Sequence, residues 1–182
     1  MGGTSANQTP DIPICILDDG SDTVENRLGA IGDIAFVLDR KQVAEDLLII
    51  AGDNLFDYDL AHIAERFQQL GHDMVLGREL EAAEDPSRFA IVEIDAEGRI
   101  LHMEEKPAEP RSRLAAFATY FYKKDSLPLF KTYLQQGGNP DSPGHFPAWL
   151  YQKRPVYLYV FEGQCYDIGT LEAYERVQGL FL

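Results

Sequence analysis

The chain has 182 residues, 45% of them hydrophobic and 25% charged, a mix that fits one globular domain with a sizeable core. Thirty acidic residues against 16 Lys and Arg give a net charge of -14, which argues against nucleic acid and anionic membranes as partners. An anionic metabolite fits such a surface only where cationic side chains or a divalent metal are gathered locally. No apolar run is long enough to cross a bilayer. The opening "MGGTSANQTPD" lacks the apolar stretch of an export signal. The two cysteines, Cys15 and Cys165, lie far apart, so reduced thiols and a cytoplasmic location are expected.

In chain order, residues 1–11 read as a flexible N-terminal segment and 12–182 as a single α/β domain. "IPICIL" (12–17) has the composition of a short strand, ended by the turn cluster "DDGSD". "AIGDIAFVLDRK" places Ile31, Ile34, Ala35 and Leu38 at helical spacing, with Gly29 just before it. "LLII" (47–50) shows no polar alternation and predicts a strand buried on both faces, as in a parallel sheet covered by helices. It delivers Asp53 to a strand's carboxyl end, where α/β sheets open their ligand crevice, and Gly52 allows close backbone approach there. Asp53 is then either a ligand for a cation or a device that orders the turn.

"DLAHIAERFQQLG" predicts a helix, with Asp59 as N-cap, an apolar stripe from Leu60 to Leu70, and Gly71 just past its end. "DMVLGREL" begins as a strand. "RFAIVEIDAEGRILHMEEKP" predicts a hairpin about the Asp95–Gly98 turn. "AAFATYFYKKD" is strand-like, "LPLFKTYLQQGG" is a helix with Pro128 early and Gly137 at its end, and "FPAWLYQKR" is a short helix. "PVYLYVFEGQCYDIGT" reads as a strand running into a loop, and "LEAYERVQGLFL" as a closing helix. Strands alternating with helices predict an α/β sheet, with the hairpin as an added antiparallel element.

Four of these segments, "RLGAIGD", "LLIIAGDNLFDYDL", "VEIDAEGRILHMEEKP" and "FEGQCYDIGTLEAYERV", occur in an order and at separations that resemble the sugar-1-phosphate nucleotidyltransferases. That resemblance implies a Rossmann-like mixed sheet flanked by helices. It also implies a reaction joining a sugar 1-phosphate to a nucleoside triphosphate with release of pyrophosphate, and Mg2+ as cofactor. It makes Asp53 and Asp167 the metal carboxylates and, with Lys106, the catalytic set; Lys106 would lie on the sugar phosphate and Glu105 on sugar hydroxyls. Gly29 would face the nucleotide base, and Gly52, Asn54, Ala90 and Thr119 would join the substrate-binding set.

This sequence departs from the family's pattern at Phe89-Ala90, where Tyr-Gly is usual. It departs again at Phe117-Ala118-Thr119-Tyr120, where Thr-Gly-x-Tyr is usual, and at Cys165, where an aromatic is usual. The family's opening strand and its Gly-x-Gly-Thr-Arg phosphate loop have no counterpart in "MGGTSANQTPDIP". A truncated member with weak or no activity is therefore expected, with self-association or a partner covering the exposed sheet. Two other readings remain open. "DYD" (57–59) could serve a metal-dependent glycosyltransferase, or the chain could be a non-catalytic paralogue that binds nucleotide or sugar phosphate.

Overall fold

The computed structural model of the chain describes residues 13–181. The expectation for residues 1–11, and Ile12 of the first expected strand, lie outside these. Eight strands and five α-helices follow one another as α1 (Ala30–Lys41), β1 (Leu47–Ile50), β2 (Asn54–Phe56), α2 (Leu60–Leu70), β3 (Asp73–Glu79), β4 (Ala90–Ile94), β5 (Ile100–Glu105), β6 (Leu114–Tyr122), α3 (Pro128–Gln135), α4 (His145–Leu150), β7 (Val156–Val160), β8 (Cys165–Asp167) and α5 (Leu171–Phe181). The main sheet is six-stranded and mixed, ordered β5-β4-β6-β3-β7, with β1 also on β6. Among the described residues only β3 and β7 run parallel; every other pairing is antiparallel.

The long strand β6 organises the sheet. Its first half takes β4 at Ala115 and Ala116, and its second half takes β1 at Thr119–Tyr122. Its side chains alternate between two cores, as the period of a strand requires. Ala116, Tyr120 and Tyr122 join Val75, Ile31, Phe130, Phe146 and Leu150 on the side covered by α1, α3 and α4. Ala115, Phe117 and Phe121 join Met74, Leu76, Ile63 and Phe67 on the side covered by α2. The helices form where periodicity placed them. Asp59 caps α2 by accepting from the amides of Ala61 and His62, and Gly71 closes it at φ 72°.

Two expectations fail. β1 is not a doubly buried parallel strand: it pairs antiparallel with β6 alone and has no second neighbour among the described residues. Leu47 and Ile49 pack into the core under α1, whereas Leu48 and Ile50 are 38% and 37% exposed on the other face. The apolar run encodes burial on one face only, because the α2 layer covers β3 and β6 and stops short of β1. The second failure is "IPICIL": residues 13–17 form no strand, and Ile14 and Ile16 stand 89% and 91% exposed. A strand needs a hydrogen-bonding neighbour, and these residues have none among the described residues.

One buried charge fastens the β3 end of the sheet. Asp73 is fully buried and accepts from Ser126 Oγ at 2.6 Å and the Lys123 amide at 2.7 Å, with Arg154 Nε 3.1 Å away. Burial pushes its carboxyl up, while Ser126, the Lys123 amide and Arg154 pull it down. Removing one partner of such a group strands the others, at about 3 kcal/mol. Asp73→Ala should lower the urea midpoint accordingly; a midpoint within error of the parent would show that Asp73 is not a fastening point.

Candidate functional site

The ribbon of β2 and β8, outside the main sheet, builds the acidic half of the site. Its register sets Asn54 opposite Asp167, Leu55 opposite Tyr166 and Phe56 opposite Cys165. The Ile168 amide donates to the Asp53 carbonyl at 2.8 Å, extending the pairing by one residue. Both carboxylates thereby arrive over Gly169: a Cβ there would lie 3.1 Å from Asp167 Oδ1 and 3.5 Å from Asp53 Oδ2. Asp53 and Asp167 are both exposed. Asn54 Nδ2 donates to Asp53 Oδ1 at 2.9 Å, and the Gly169 amide donates to Asp167 Oδ1 at 2.9 Å. Asp167 does not cap the last helix, because Thr170 does so by accepting from the Ala173 amide. Gly52 faces open space.

The neighbouring acids are engaged elsewhere. Asp57 Oδ1 accepts from the Gln164 amide at 2.7 Å, and Asp59 is the α2 cap. One oxygen of each "DYD" carboxylate is therefore held by backbone amides. The ribbon itself is seated by aromatic stacking. Phe56 lies on Tyr58 at 4.3 Å between centroids, and Tyr58 meets Phe161 at 4.7 Å. Tyr58 Oη lies 2.8 Å from Thr119 Oγ1. Thr119, expected among the substrate contacts, is fully buried here and bonds Tyr58.

The second half of the site stands at the open end of the β4–β5 hairpin. Glu105 pairs across from Ala90, and the Lys106 amide continues the ladder to the Phe89 carbonyl at 3.0 Å. Lys106 has φ 49°, a left-handed conformation that a residue before proline rarely adopts. Such a conformation persists where surrounding structure holds it, and it often accompanies a binding role. Lys106 is exposed and has no ion-pair partner among the described residues. Other cations nearby are engaged: Arg78 grips Glu84 through both carboxylate oxygens at 2.8 and 2.9 Å, and Arg27 pairs with Asp141 at 3.2 Å. Arg113 donates to the carbonyls of Leu80, Glu81 and Glu84.

Gly29, at φ 76°, ends against Pro140, where a Cβ would come within 2.7 Å of the carbonyl oxygen. The Ile31 amide donates to that same oxygen at 2.9 Å. Residues 139–144 also reach the hairpin: Ser142 Oγ donates to Glu105 Oε1 at 2.6 Å, and Gly144 lies against Glu105 Oε2. Sequence reasoning missed Ser142 and Gly144. The cluster "NPDSPG" marks a loop, but nothing local says what it touches.

The mixed α/β sheet thus carries paired acids on the β2–β8 ribbon and, at the end of the β4–β5 hairpin, a lysine with no ion-pair partner among the described residues. The sequence pattern of the nucleotidyl transferase family matches residues 7–181, and the chain belongs to that family as a sugar-1-phosphate nucleotidyltransferase-type domain. It is 34% identical over 135 residues to a glucose-1-phosphate adenylyltransferase of Desulfitobacterium hafniense (strain Y51), covering 71% of this chain and 33% of that protein. A glucose-1-phosphate adenylyltransferase of Geobacillus stearothermophilus is 32% identical over 133 residues, covering 70% and 34%. The chain thus spans about a third of the length of these curated relatives. The fold is shared with apo UDP-glucose pyrophosphorylase at a TM-score of 0.73 and 21% identity, over 86% of this chain and 60% of that one.

The thiols offer a direct check on the ribbon. Cys165 is buried beside Tyr58 and Asn54, with burial pushing its thiol up to about 11, whereas Cys15 is exposed. At pH 8, iodoacetamide should modify Cys15 quickly and Cys165 only on unfolding, as read by peptide mass mapping. Equal rates at both would show the ribbon to be open.

Proposed function

We propose that this chain binds a nucleoside triphosphate and a sugar 1-phosphate as the substrate-binding domain of a nucleotide-sugar pyrophosphorylase. The observation that carries the reading is the convergence of Asp53 and Asp167 above Gly169. In the reaction, a phosphate oxygen of the sugar 1-phosphate bonds to the α-phosphorus, the bond from that phosphorus to the bridging oxygen breaks, and pyrophosphate leaves. Such chemistry depends on positioning and charge neutralisation. Two carboxylates with room between them suit magnesium, which takes one or two carboxylates and fills its shell with water and phosphate oxygens. Asp53 and Asp167 would hold it, and it would supply neutralisation of phosphate charge. Lys106 is the point charge for the sugar phosphate, and Glu105 accepts from sugar hydroxyls. Gly29 lets the base approach closely.

Association of copies is proposed at the edge of β1, which has no second neighbour among the described residues and stands beside the exposed Leu48 and Ile50. Sedimentation velocity should show a species larger than the monomer, and Ile50→Lys should shift it downward. A parent protein that sediments as a monomer across the micromolar range would refute the association.

Calorimetry with ATP, glucose 1-phosphate and magnesium tests the binding. Asp53→Asn and Asp167→Asn should each weaken magnesium-dependent nucleotide binding while leaving the unfolding midpoint unchanged. Lys106→Ala should cost about 1.5–3 kcal/mol of sugar-phosphate binding, the range of a charge-assisted hydrogen bond. Parent-like binding by all three variants at equal magnesium would end this reading.

A further inference from the structure

The segment 139–144 does more than connect α3 to α4. Its start is fixed from below, where Tyr133 Oη donates to the Asn139 carbonyl at 2.9 Å and the Tyr133 ring fills the space a Gly138 Cβ would need. Its middle is fixed sideways, where the Pro140 carbonyl accepts from the Ile31 amide beside Gly29. Its end closes on Glu105 from two directions. Ser142 Oγ donates to Glu105 Oε1 at 2.6 Å, a short bond of the kind a charged acceptor makes. Gly144 is buried, and a Cβ on it would fall 2.0 Å from Glu105 Oε2 and 3.6 Å from the Ala90 Cβ. One oxygen is thus held by a donor and the other confined by a surface that only glycine leaves free.

We propose that Ser142 and Gly144 are positioning residues that set the aim of the Glu105 carboxylate toward the sugar, and that residues 139–144 form the strap tying this sugar contact to the Gly29 turn. The inference rests on the functional reading above. An unrestrained glutamate on a hairpin end samples several rotamers, and fixing it before the ligand arrives removes that entropic cost from binding. The Ser142 hydroxyl donates its proton to Oε1, so the other lone pairs of Glu105 remain for sugar hydroxyls. The ion pair between Asp141 of the strap and Arg27 adds little, because it is 56% exposed at both ends.

The test uses the full chain with glucose 1-phosphate and, separately, ATP, each with magnesium, read by calorimetry. Ser142→Ala should weaken glucose 1-phosphate about tenfold, the value of one hydrogen bond to a charged group, with ATP affinity and the unfolding midpoint unchanged. Ser142→Thr, which keeps the hydroxyl, should restore most of the affinity. Gly144→Ala should reproduce the loss by a different route, pushing the flexible end of Glu105 aside while its own backbone conformation suits alanine. Parent-like glucose 1-phosphate affinity in both Ser142→Ala and Gly144→Ala would overturn the positioning role while leaving the functional reading intact. A parent protein that binds no sugar 1-phosphate from a panel, at any magnesium concentration, would overturn the functional reading itself. Equal losses for ATP and glucose 1-phosphate would show that the strap serves the whole fold and would overturn the assignment to the sugar.

Discussion

The pairing of three residues of β2 with three of β8 is the constraint on which the acidic site depends. It joins a loop near the start of the fold to one near its end, and neither strand is long enough to be stable alone. Its stability comes from what surrounds it. Phe56 and Tyr58 stack beneath it, Tyr58 reaches Thr119 on the central strand, and Asp57 accepts from the Gln164 amide at the turn. A slip of one residue in this register would send Asp167 to the opposite face and separate it from Asp53. Thr119 therefore bears on the site from within the core, at one remove from any ligand.

Electrostatics narrows the ways an anion could be held. The chain carries -14, and three of the arginines near the site are spent on Glu84, on Asp141 or on backbone carbonyls. Lys106 stands apart because its backbone is turned into the left-handed region, which carries its side chain out of the hairpin's alternation. Pro107, buried behind it, allows the ladder no further donor. On the proposed reading, the acids and the lysine answer different parts of one problem. Paired carboxylates suit a divalent cation with its phosphates, and a lone flexible ammonium suits a single terminal phosphate.

Much of this was legible in the sequence, and the exceptions share a cause. Helices α1, α2 and α3 and the β4–β5 hairpin were readable because their signals are local: apolar spacing, Asp59 and Gly71 at helix ends, and the Asp95–Gly98 turn. Asp53, Lys106 and Asp167 stand out in the sequence because they sit in motifs, and their convergence on a ligand rests on the proposed function. β1 was misread because "LLII" is the same whether helices cover one face or two, and only the lateral reach of α2 decides. β2 and β8 were unreadable as strands, because three residues carry no period. "IPICIL" looked like a strand because composition records preference and not the presence of a neighbour. Ser142 was invisible for a related reason: its partner is a glutamate on another element, and loops announce their turns without announcing their contacts.

The same distinction explains how the two halves of the site come to be held differently. The acidic half is a backbone device: its residues are set by ladder hydrogen bonds, so their positions follow from register and tolerate changes in side chains nearby. The half around Glu105, the sugar side on the proposed reading, is a side-chain device. Glu105 leaves the ladder at the last residue of β5, where register fixes its Cα and nothing in the strand fixes its carboxylate. A second element must supply that restraint, and residues 139–144 do so with one hydroxyl and one missing methyl group. Because residues 139–144 also abut Gly29, a change in their path would alter the Gly29 turn and the Glu105 carboxylate together. An irregular loop thus sets Glu105, while the carboxylate pair over Gly169 stays where the ribbon puts it.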